Sequence, residues 1–224
     1  MRRAAAWYAD RLLRPVRGRV RAAEQGGQGL VEFTALVPVF MLLLFGMLEF
    51  GFAFDQNLTL EYATREGARV GSALANDGGV LCVPATTTVD AQIVAAVQRV
   101  LLSPGSRVTP ENNMQVLIWK ADANGAPISG TTNTWNFTGL GTGKDHYGQP
   151  AIVDGQQIAF TEVTQNWNAC TRKNGTPVDS IGVSMTHTYS FQTPLAGILR
   201  IFGGTSAGTL TMSDKTVMAL NPTN

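Results

Sequence analysis

The stretch Gly26-Gly27-Gln28-Gly29-Leu30-Val31-Glu32-Phe33 places a carboxylate just inside the start of a long apolar run. An ionised carboxylate on a helix in hydrocarbon is unfavourable by about 2.5–3.5 kcal/mol at mid-membrane and by less toward the interface, so Glu32 needs a shallow position or a partner. Cutting the chain after Gly27 would supply one. Gln28 would then carry a free amine, and Glu32 would stand at position five of the new chain, one helical turn away. An amine and a carboxylate at that spacing neutralise each other, within one chain or between neighbours sliding together. If the chain were cut between Gly27 and Gln28, the chemistry open to these residues would be charge pairing at Glu32, beside Phe33.

Other constellations offer less. Cys82 and Cys170 are the only cysteines, and both lie beyond the apolar run, in the part expected outside the membrane, where oxidising conditions favour a disulfide. Pairing would close a loop of nearly ninety residues and stabilise by roughly 4–5 kcal/mol in the chain-entropy view; two free thiols are the alternative. His146 and His187 bring the potential zinc ligands to four, but no pair has ligand spacing, so no metal site is expected. His187 falls on the apolar face of an alternating segment, where a hydrogen-bonded core histidine is the ordinary explanation. Gly139-Leu140-Gly141-Thr142-Gly143-Lys144 hints at a phosphate loop, yet Lys144 is followed by Asp145-His146 rather than Ser or Thr, and a flexible loop is expected. No G-x-S-x-G elbow occurs, so neither catalytic residues nor a cofactor are expected. Trp135 and Trp167 either line a sugar-binding surface or cap a small core.

The elements that must position Glu32 follow from charge and hydropathy. Residues 1–28 hold seven arginines (Arg2, Arg3, Arg11, Arg14, Arg17, Arg19, Arg21) against Asp10 and Glu24, a balance of +5 that leaves −4 in the remainder. Abutting the apolar run Leu30–Phe54, this block reads as a topogenic signal that holds its end in the cytoplasm, not as a nucleic-acid site. The run would cover roughly 37 Å as helix, more than the ~30 Å hydrocarbon core. A cleaved secretory signal is the competing interpretation, but such apolar regions run about 7–15 residues and end at small residues, whereas Glu49-Phe50-Gly51-Phe52 is bulky. Helical character continues through Asn57–Asn76, where Ala63, Gly67, Gly71 and Ala75 recur every four residues as a stripe of small side chains. Either the protein's own domain or a second subunit packs there. The expected fold is α+β: a basic segment 1–27, a transmembrane helix with its external extension over 28–76, and an external domain over 77–224 with an antiparallel sheet. A second helix is expected at Val89–Leu102, strands at Met114–Lys120, Gln157–Val163, Ile181–Phe191 and around Leu210–Leu220, a helical turn at Ala196–Phe202, and a long surface loop over 129–156.

Gly27, four residues, then Glu32-Phe33, heading an apolar helix after a basic leader, resembles the prepilin-peptidase site of type IV pilins, in particular of the Flp/Tad branch. Leu36-Val37-Pro38-Val39-Phe40, Phe45-Gly46-Met47-Leu48-Glu49-Phe50-Gly51 and Ala63-Thr64-Arg65-Glu66-Gly67-Ala68-Arg69 are similar to TadE-like proteins, the minor pilins or pseudopilins of the tight-adherence pilus machinery. The resemblance covers residues 26–75. It implies a pilin-like fold, a single-pass place in the cytoplasmic (inner) membrane with the C-terminal domain outside, and cleavage by a membrane-embedded prepilin peptidase after Gly27. It also implies Glu32 as the assembly residue, partners among other Tad pilins, minor pilins and the inner-membrane assembly platform, and a place in or at the base of a pilus used for adhesion. The rival from a different class is a membrane-tethered binding or enzymatic domain unrelated to pili.

Overall fold

The computed structural model describes residues 21–74, 89–111, 113–204 and 207–221. The chain divides into two compact units, Met1–Met47 and Leu48–Asn224. The first helix, α1, runs over Arg21–Ala73 with Pro38 inside it. In its first unit nearly every large apolar side chain from Leu30 to Met47 is exposed. Among the described residues one helix, α1, is thus long and apolar enough to cross a membrane, and its apolar stretch is not buried in the protein.

In the second unit, α1 from Leu48 onward and α2 (Val89–Leu101) lie on one face of a five-stranded sheet. The strands are β1 (Gln115–Ala121), β2 (Pro127–Phe137), β5 (Phe160–Thr164), β6 (Ser180–Ser190) and β7 (Thr209–Ala219), in the order β5-β2-β1-β6-β7 with every neighbouring pair antiparallel. A small hairpin, β3 (Ile152–Val153) with β4 (Gln156–Gln157), stands apart. The third helix, α3 (Leu195–Gly203), joins β6 to β7. The fold is α+β, with an antiparallel sheet after the long apolar helix.

Period-2 patterning decides which face of the sheet is inward. Ile181, Val183, Met185, His187 and Tyr189 of β6 are buried toward the helices, in register with Val116 and Ile118 of β1 and with Met212 and Met218 of β7. The opposite face carries Ser184, Thr186, Thr188, Thr211 and Ser213. The β1–β2 turn is built by Asp122, whose Oδ1 accepts the N–H groups of Asn124 and Ala126 at 2.8 Å each, and by Gly125 at φ +77°.

The expected surface loop over 129–156 is corrected: its first third is β2. That strand escapes a hydropathy reading because only Asn133 and Trp135 are fully buried on it, and one of them is polar. Asn133 is nonetheless satisfied. Its Nδ2 donates to Asp90 Oδ2 and the Trp167 carbonyl, and its Oδ1 accepts from the N–H groups of Asn166 and Trp167.

Candidate functional site

The candidate segment for cleavage and assembly lies within α1. Gly27, Gln28, Glu32 and Phe33 are all helical and exposed. Gln28 Nε2 donates to Glu32 Oε1 at 3.0 Å, so in the uncut chain a side-chain amide occupies the place one turn before the carboxylate. A peptidase acting between Gly27 and Gln28 would have to free a carbonyl engaged in the helix ladder. Gly26, Gly27 and Gly29 ease that opening, since each glycine weakens a helix by roughly 0.8–1.0 kcal/mol relative to alanine.

Farther along α1, a second stripe faces the sheet. Glu49, Ala53, Gln56, Leu60, Ala63, Thr64, Gly67 and Gly71 are buried at three- and four-residue intervals, the period of one helical face. A Cβ added to Gly67 would lie 2.7 Å from Val97 Cγ2, and one added to Gly71 would lie 2.8 Å from Ile181 Cδ1 and 2.9 Å from Ile93 Cδ1. The small residues therefore let α1 approach α2 and β6 of its own chain; Ala75 lies outside the described residues. Polar rungs punctuate the stripe. Thr64 Oγ1 donates to Asp214 Oδ2 at 2.5 Å, and Gln56 bridges the Arg107 carbonyl at 2.9 Å and His187 Nε2 at 3.1 Å.

Glu49 is the most constrained of these rungs. Only 3% exposed, it accepts hydrogen bonds from the Tyr189 hydroxyl and from the backbone N–H groups of Gln192 (2.8 Å) and Thr193 (2.9 Å). Burial and the carboxylate raise the Tyr189 pKa, and burial lowers that of His187. A carboxylate with three donors is a latch. It pins the end of β6 and the start of the following loop to one turn of α1. In the sequence Glu49 registers only as an interruption of the apolar run, since its partners lie about 140 residues away.

Residues 27–69 match the family model for TadE-like protein. The match opens at Gly27 and takes in Glu32, Pro38, Glu49, Ala63 and Gly67. No curated protein and no solved structure matches the chain.

Outside residues 27–69, the remaining candidates resolve separately. Trp135 and Trp167 are buried core residues, not an exposed stacking surface. His187 is a core histidine bonded to Gln56. Lys144 pairs with Pro150 in a β-bridge, the N–H of Gly143 donates to the Ile158 carbonyl at 2.9 Å, and the Glu162 N–H donates to the Lys144 carbonyl at 2.8 Å, so the glycine-rich loop is anchored to β5 beside it. Cys170 sits in a 3-10 turn, Ala169–Thr171, and is not a free thiol; Cys82 lies outside the described residues. Among the described residues no group of His, Cys, Asp and Glu is arranged to hold a metal.

A polar cluster in the core has no counterpart in the sequence reading. Arg172, fully buried, pairs with Asp90 at 2.5 Å and stacks on Trp167, with its guanidinium carbon 4.5 Å from the ring centre. Glu162 lies on the same inner face and receives the His146 N–H at 3.0 Å. Burial and the nearby Asp90 charge raise its pKa to about 8.

Proposed function

We propose that the protein is a TadE-like minor pilin or pseudopilin that takes part in assembling a Tad pilus, in a structural and interaction role. One observation carries this reading: the match over residues 27–69 coincides with the unburied apolar stretch of α1, headed by Gly27 and Glu32. On this proposal the basic N-terminus stays in the cytoplasm, consistent with its balance of +5, and the sheet domain stands outside the cytoplasmic membrane. A prepilin peptidase cuts after Gly27. Glu32 then pairs with the new amine of Gln28, on its own chain or a neighbour's, while other Tad pilins and the assembly platform are the partners. The uncut Gln28–Glu32 hydrogen bond supports that pairing, because it puts a donor within reach of the carboxylate at the same helical spacing.

Charge reversal tests it. Glu32→Lys should abolish piliation and adherence while leaving the chain in the membrane fraction; normal filament number would favour a simple tether instead. N-terminal sequencing of the mature protein should begin at Gln28, and an intact Met1 would remove the processing step.

A further inference from the structure

Glu49 fixes more than α1. The N–H groups that it accepts belong to Gln192 and Thr193, and α3 begins two residues later at Leu195. The latch therefore holds the start of α3 beside the turn of α1 that carries Glu49. Along α1, Phe33–Leu48 contains no charged residue, and its sixteen residues cover about 24 Å of helix against a hydrocarbon core of ~30 Å. If Glu32 marks one interface, Glu49 marks the other.

α3 is amphipathic in an unusual sense. Ala196 is packed inward, whereas Ile198 is 38% exposed and Ile201 78% exposed, three residues apart on one face with Pro194 one turn before them. Phe50 and Phe54, on the α1 turns around Glu49, are exposed as well. From Phe191 to Met212 the only charged residue is Arg200. Near this level Arg107 lies over the Phe52 ring, its guanidinium carbon 4.9 Å from the centre, and is paired with Asp55 of α1 at 3.7 Å. On α3 itself, outward apolar side chains with one cation, Arg200, and no carboxylate are the composition of a helix that lies in a lipid interface.

We infer that α3 is a second membrane contact: a short interfacial helix whose Ile198 and Ile201 enter the bilayer surface beside the emergence of α1, set at that depth by the Glu49 latch. The partner is the lipid of the leaflet that α1 leaves. The helix would stop the sheet domain from swivelling about a single anchor. This rests on the proposed membrane crossing of α1.

The test is depth measurement on the full chain in phosphatidylethanolamine/phosphatidylglycerol vesicles. Maleimide spin labels are placed singly at Ile201→Cys, at Val39→Cys in the apolar run, and at Ala123→Cys in the β1–β2 turn, with the unsubstituted chain as the labelling blank. Collision with dissolved oxygen is compared with collision with a water-soluble nickel chelate. The oxygen-to-nickel ratio at Ile201 should exceed that at Ala123 several-fold, approaching the ratio at Val39. A ratio at Ile201 equal to that at Ala123, with Val39 shielded from nickel, overturns the inference and leaves the anchor standing. Val39 open to nickel overturns the anchor itself, and the inference with it. Protection of Ile201 from both probes would assign the face to a protein partner or second copy and would also overturn it.

Discussion

At the residue scale, the buried charges decide how the domain responds to pH. Asp90 and Arg172 neutralise each other, and Glu162 is left beside them with one backbone donor and with Oε1 unpartnered among the described residues. An unpaired carboxylate in that position is tolerated mainly as the neutral acid. Its folded pKa of about 8 lies above the ordinary 4.5 of a glutamate, so the folded state holds this proton more tightly than the unfolded chain does. The contribution is therefore complete below about pH 4.5 and is lost as pH rises toward 8. Each unit of separation is worth about 1.4 kcal/mol, so the loss over that window is on the order of a few kcal/mol. Glu162→Gln keeps an oxygen for the His146 N–H and cannot ionise. Denaturant midpoints measured from pH 5 to 8 should fall for the natural chain and stay nearly level for the variant, which becomes the more stable of the two at the alkaline end; parallel curves would mean that Glu162 titrates normally.

At the element scale, α1 is two helices in one: an unburied apolar half and a half whose stripe is the backbone of the domain's core. Gly67 is the tightest point. Val97 is β-branched and stiff in its own helix, so an added methyl 2.7 Å from its Cγ2 has little room to be accommodated. Overpacking typically costs about 1–3 kcal/mol, while alanine in place of glycine returns roughly 1 kcal/mol of helix propensity. Gly67→Ala should thus be neutral to destabilising by about 2 kcal/mol, and Gly67→Val clearly worse. Gly51→Ala, with nothing within 4 Å of the new Cβ, should be neutral or stabilising, as read from tryptophan fluorescence in urea on the detergent-solubilised chain. This architecture is partly legible from residue spacing. The stripe Ala63, Gly67, Gly71 and the alternation in β6 are periodic in one dimension, and the structure places both in the core. By contrast β2 and the Glu49 latch are invisible to periodicity. The strand's inner position is an asparagine whose donors and acceptors are met from α2 and from residues 166–167, and the latch joins a helix turn to a loop far along the chain.

At the scale of the whole molecule, the charge segregation and the cysteines make a joint prediction. The proposed orientation rests on seven arginines at one end of the apolar run, and it delivers Cys82 and Cys170 to an oxidising space. Orientation and thiol chemistry should then change together. In the natural chain, a membrane-permeant maleimide should add to neither cysteine until reductant is supplied, after which the mass should rise by two adducts. Replacing the arginines of residues 1–21 with glutamine removes the bias that keeps the N-terminus inside, so a fraction of chains should insert the other way round. That fraction would carry its domain in the reducing cytoplasm and take up two adducts without reductant. It would also lose the roughly 4–5 kcal/mol that closing so long a loop contributes in the chain-entropy view, and should unfold at lower denaturant. Two adducts on the natural chain without reductant would remove the pairing while leaving the arginine effect on orientation to be read from protease protection of the domain. Unchanged orientation after arginine replacement would shift the burden of topology to the folded domain and the latch at Glu49.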